Sequence, residues 1–201
     1  MIVAIIVSLL LGAAPQAAEE GGPYVVSEIA QNLRPTIAYN PQTEQFIVAW
    51  IRTGSIVEYE EAIVRARLVT TQPEVSLGPE IPISRPSSKK VYAPFVSVRY
   101  HAAQNRYVAI WQETLGETRN LMLTTLDNNG KYLRRANRLA VKQGILVSPP
   151  LIGTVADEER ILVIWNDLLQ SGFRSQAFTF DPDKPNNRDN ILVRLSGDHK
   201  L

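Results

Sequence analysis

A short apolar run ending in tryptophan occurs three times in this chain: Phe46–Ile47–Val48–Ala49–Trp50, Tyr107–Val108–Ala109–Ile110–Trp111 and Ile161–Leu162–Val163–Ile164–Trp165. Each follows a proline that opens another apolar stretch. These are Pro35–Thr36–Ile37–Ala38–Tyr39, Pro94–Phe95–Val96–Ser97–Val98 and Pro150–Leu151–Ile152–Gly153–Thr154. Proline suits the first residue of a strand, where its missing N–H breaks no ladder bond. The proline-to-tryptophan offsets are 15, 17 and 15 residues. A tandem repeat of this kind leaves few architectures open, because units that cannot bury their apolar surface alone must stack.

Each unit reads as four strands. In the first, Thr36 to Tyr39 and Gln45 to Trp50 flank an Asn40–Pro41–Gln42–Thr43 turn. A polar loop covers Arg52 to Glu61. Ala62 to Val69 follows, with Arg65 and Arg67 alternating against apolar neighbours, so one face of that strand is wet. Glu80 to Ser84 contains a proline and belongs at a sheet edge. The second unit places its strands at Val91 to Val98, Arg106 to Trp111 and Asn120 to Leu126, with Gln112 to Arg119 as a loop. Asp127–Asn128–Asn129–Gly130 is its clearest turn, since Asn and Gly tolerate positive φ. The third unit has Arg160 to Trp165, Phe173 to Phe180 and Ile191 to Leu195. Residues Lys131 to Lys142 conflict with the repeat. Leu133, Ala136, Leu139 and Ala140 fall at helical spacing, whereas the repeat requires a strand near Asn137 to Val141. We follow the repeat.

The tryptophan runs do not alternate in polarity, and continuous apolarity means that both faces of a strand are covered. Sheets whose inner strands are covered on both sides must lie between other sheets, which is the arrangement of a β-propeller. The tryptophans are 61 and 54 residues apart, somewhat longer than the ~50 of a kelch-type unit. The expected fold is therefore all-β: three tandem four-stranded antiparallel blades forming a partial β-propeller, open or completed by a dimer. A β-sandwich is the alternative. The expected divisions are a signal peptide at 1–18, a linker and extra strand at 19–33, and blades at 34–86, 87–143 and 144–201, the last including the tail. Closed rings have about four to eight blades. Three imply half of a six-bladed homodimer, an open stack or a remnant of a longer protein.

The pattern Pro-x-Ile-Ala-Tyr-Asn, turn, Phe-Ile-Val-x-Trp at residues 35–50 resembles the propeller-type repeats of many secreted bacterial proteins. It recurs more loosely at 94–111 and at 150–165, where Gly153 stands at a strand position. The resemblance implies blades and an extracytoplasmic setting. It implies no single activity, since such repeats often serve as binding or scaffold modules. The sialidase Ser-x-Asp-x-Gly-x-x-Trp turn and the Gly-His and Trp-Asp pairs of WD40 repeats do not occur.

Met1 to Leu11 is apolar and is followed by the small residues of Gly12 to Ala18, which fits a secretory signal peptide cleaved near Ala17 or Ala18. The run is too short for a spanning helix of ~20 residues. A secreted or periplasmic location follows, with no membrane span after cleavage. The 21 Lys and Arg residues nearly balance 20 Asp and Glu. No whole-chain field draws the protein to nucleic acid. The chain lacks cysteine, which excludes disulfides, thiolate nucleophiles and cysteine metal sites.

Candidates for chemistry are sparse, and no catalytic, cofactor or metal residue is assigned. His101 reads as an exposed turn residue, far in sequence from His199. Glu58, Glu60 and Glu61 cluster in the first loop, as the paired carboxylates of a glycan hydrolase or lyase would, although a solvated charge run is the better explanation. Asp181, Asp183, Asn186, Asn187 and Asp189 offer oxygen ligands suited to calcium, but Pro182 and Pro185 interrupt them. The basic run Lys131, Arg134, Arg135, Arg138 and Lys142 is a candidate polyanion-binding surface, or an edge strand charged against aggregation. The expected function is a non-catalytic binding or scaffold module for a protein or glycan, with the glycan-active enzyme as the alternative.

Overall fold

The computed structural model describes residues 32–53, 62–71, 73–84, 95–115, 118–141, 145–146, 148–154, 160–169, 172–180 and 191–194. The signal-like segment, the expected strand at 24–29, Glu58, Glu60, Glu61, the Asp181–Asp189 loop, Lys142 and His199 lie outside them.

The described residues form three antiparallel sheets in chain order. Sheet I holds β1 (Asn32–Asn40), β2 (Gln45–Arg52), β3 (Ile63–Thr70) and β4 (Ser76–Pro82). Sheet II holds β5 (Val96–His101), β6 (Arg106–Leu115), β7 (Thr118–Leu126) and β8 (Tyr132–Val141). In sheet III, β10 (Leu151–Thr154), β11 (Ile161–Leu169), β12 (Gly172–Phe180) and β13 (Ile191–Arg194) follow in order, and the two-residue β9 (Ile145–Leu146) adds to β11. Apart from β9, every neighbour in a sheet is also the next strand in sequence, as antiparallel pairing allows.

Alternation along each tryptophan strand decides the stacking. On β2, Ile47, Ala49 and Ile51 point to sheet II, where they join Tyr107, Ala109 and Trp111 of β6 in one core. The opposite face of β6, with Val108 and Ile110, packs on Ile161, Val163 and Trp165 of β11. Sheet II is thus apolar on both sides and lies between the other two. All three indoles are buried, at 0%, 1% and 1% exposure for Trp50, Trp111 and Trp165. Burial of such rings is the main stabilising term, at ~25 cal/mol per Å² of apolar area. The first strands approach one another, with β5 against β1 on one side and β10 on the other. The stack is open.

Several expectations need correction. Gln112 to Arg119 is not a polar loop: β6 and β7 continue as one hairpin in which Gln112 pairs with Leu121 and Glu113 with Asn120. Gln112 and Asn120 are buried there despite their polarity. Lys131 to Lys142 carries a strand from Tyr132 to Val141, so pairing with β7 overrides the helical spacing. Continuous apolarity did not guarantee two covered faces on β11, where Leu162 remains 38% exposed. The fourth strand of the first unit begins earlier than expected, at Ser76, and Pro79 and Pro82 sit exposed on its edge.

Candidate functional site

Two features lie at opposite ends of the boundary between sheets I and II. At the turn end, polar side chains stitch three turns together. The Asn40 amide donates to Asn128 Oδ1 at 2.9 Å, and Asn128 Nδ2 donates to Asn105 Oδ1 at 2.8 Å. The Tyr100 hydroxyl donates to the same Asn105 oxygen at 2.8 Å. Asn40 Oδ1 accepts the Gln42 amide at 2.9 Å, shaping its own turn. Asn105 suits the network because it holds a left-handed conformation, φ 47°, which Asn tolerates. Burial pushes the Tyr107 hydroxyl up to about 12, with the adjacent Asn40 side chain pulling partly the other way. Burial raises Tyr100 as well. His101 is fully buried as the last residue of β5, not exposed in a turn as its sequence neighbours suggested. Asn40, Asn128, Asn105 and Tyr100 thus form one linked, packed set that ties sheet I to sheet II at this end.

The other end opens into a cleft of about 510 Å³ lined by Arg34, Pro35, Thr36, Phe95, Val96 and Pro149. All three units contribute, each through the approach to its first strand. The geometry begins with a bulge. The β1–β2 register shifts between Leu33 and Thr36, and Arg34 within it holds φ 54°. A non-glycine residue in that region costs on the order of 1–2 kcal/mol. Bulges re-aim side chains, and here the guanidinium lies over the Phe95 ring, 4.3 Å from its centroid. The contact is a cation–π stacking that uses the face of the guanidinium. Nearby, the Ser97 hydroxyl donates to the Pro150 carbonyl at 2.5 Å, holding the third unit's entry against β5. The cleft has the size and mixed apolar–cationic lining of a ligand site.

The basic run is only partly brought into view. Lys131 is exposed at the β7–β8 turn, Arg134 is half-buried, and Arg135 and Arg138 occupy positions along β8, the edge strand of sheet II. The Arg134 carbonyl accepts the Thr124 hydroxyl at 2.6 Å. Among the described residues no three His, Asp or Glu side chains gather as a metal site would require. No described helix is long and apolar enough to cross a membrane. Sequence reasoning marked Pro35, Pro94 and Pro150 but missed Arg34 and Phe95. The available signal was position: one residue precedes and the other follows a repeat proline.

No protein-family model matches the chain, and no curated protein matches it.

Proposed function

We propose that this chain is an extracytoplasmic, non-catalytic binding module, a partial β-propeller whose cleft between sheets I and II holds a glycan. The observation that carries the reading is the convergence of three repeat units on one cleft. Pro35 and Pro149 are exposed there and supply an apolar wall for the faces of sugar rings. Strain retained at Arg34 supports the same reading, since strained backbone concentrates where a ligand is held.

Titration calorimetry with a panel of acidic and neutral oligosaccharides tests this. Binding is expected, with a loss of about 10-fold in Phe95→Ala, as removal of the aromatic wall of the cleft implies. Equal affinity of wild type and Phe95→Ala counts against the cleft. Release of new reducing or unsaturated ends during incubation would instead favour the glycan-active enzyme.

A further inference from the structure

The tryptophan side of sheet I gathers positive charge. Residues paired across an antiparallel ladder share a face, and so do residues two apart on one strand. Val48 and Trp50 pair with Arg67 and Arg65, Arg52 follows on the same side of β2, and Glu80 pairs with Arg67 from β4. These three arginines and one glutamate are the only charged residues of β2, β3 and β4. Val48 and Trp50 are buried at the centre of the face, with the three arginines half-buried around them.

One carboxylate serves two of the three guanidiniums. Arg52 Nη2 donates to both Glu80 oxygens, and Arg65 Nε lies 3.3 Å from Glu80 Oε1. Arg67 stands directly across the ladder from Glu80, yet Glu80 turns to the other two. The Nε–H of all three arginines is buried with no hydrogen-bond acceptor, since the Arg65 contact is not aligned to donate. A buried donor left without an acceptor is rare in a folded protein and favours any acceptor that reaches it. Solvent reaches this part of the sheet: Ile37, in the same row as Val48 and Arg67, is 46% exposed.

We propose that Arg67, with Arg52 and Arg65 beside it, binds an oxyanion, either a free ion or the sulfate or carboxylate group of a sugar. Guanidinium forks match planar and tetrahedral oxyanions with paired N–H donors. Glu80 shows that this cluster already accepts one carboxylate. With three positive charges against one negative, a second oxyanion is still attracted to Arg67, where partial burial weakens screening by salt. A neutral apolar partner would leave both the excess charge and the Nε donors unanswered. The site shares no residue with the cleft between sheets I and II, so its failure and the failure of the glycan reading are separate results.

Calorimetric titration at constant ionic strength, balanced with chloride, tests it with inorganic sulfate and with a sulfated disaccharide as probes. Saturable binding is expected, weakened about tenfold in Arg67→Gln. Glu80→Gln frees Arg52 and Arg65 for the probe and should tighten binding several-fold, a gain that a merely structural ion pair would not give. Phe95→Ala, in the cleft, should leave sulfate binding unchanged. Far-UV circular dichroism checks the fold of each variant. Arg67→Lys keeps the charge without the fork, and carries the expectation of a smaller loss should the glutamine variant not fold. Tighter binding of the disaccharide than of sulfate assigns the oxyanion to a sugar, and equal affinity assigns it to a free ion; both support the site. Absence of saturable binding, equal affinity of wild type and Arg67→Gln, or binding that Glu80→Gln does not tighten overturns it.

Discussion

Gly130 and Tyr107 show how single residues hold sheets I and II in register. Gly130 closes the β7–β8 turn with φ 75°, while Asp127 Oδ1 accepts the amides of Asn129 and Lys131 at 2.9 and 2.8 Å. A Cβ at Gly130 would collide with Ile81 of β4, across the boundary. Gly130→Ala therefore meets both backbone strain and overpacking, and should destabilise by about 1–3 kcal/mol in urea denaturation. Tyr107 imposes a pH limit. Its native pKa, about 12, lies above the ordinary 10.0, so the folded state holds the proton more tightly. Stability is complete below about pH 10 and falls as the pH rises toward 12. Tyr107→Phe should flatten that alkaline loss, read as unfolding midpoint against pH, with a residual slope from Tyr100. The need for glycine at position 130 was legible from the Asn-Asn-Gly turn itself. The burial of His101 was not, because the turn-like residues after it hide the fact that it closes a strand in register with Arg106.

At the scale of the element, the tryptophan strands carry the architecture. Trp111 is buried in the core between sheets I and II. Trp111→Ala should cost about 3–5 kcal/mol in chemical denaturation, against about 0.5 kcal/mol or less for Leu133→Ala on exposed surface. The β6–β7 hairpin makes the complementary point. Gln112 and Asn120 read as loop residues, yet they lie buried in a ladder whose pairing continues past Trp111. Cross-strand hydrogen bonds satisfy the backbone wherever a neighbour is available, so pairing outlasts the apolar pattern that started it. The same preference turns Tyr132–Val141 into a strand against its helical spacing.

For the whole molecule, the repeat period determined that there would be sheets of four consecutive antiparallel strands, to which sheet III adds β9, and that indole-bearing strands would lie inside. These follow from local pattern, since continuous apolar runs, prolines before strands and turn residues such as Asn129–Gly130 act within a few positions of one another. Tertiary structure decided which face of each sheet meets which neighbour. Ile47, Val108 and Leu162 are equivalent in sequence, yet two are buried and one is exposed, because burial depends on whether another sheet follows. It also decided the cleft. Arg34 and Phe95 are 61 residues apart, and only the approach of β1 to β5 sets a guanidinium over a ring. A strand pattern encodes what it must hide, while the packing of sheets determines what hides it and what remains exposed.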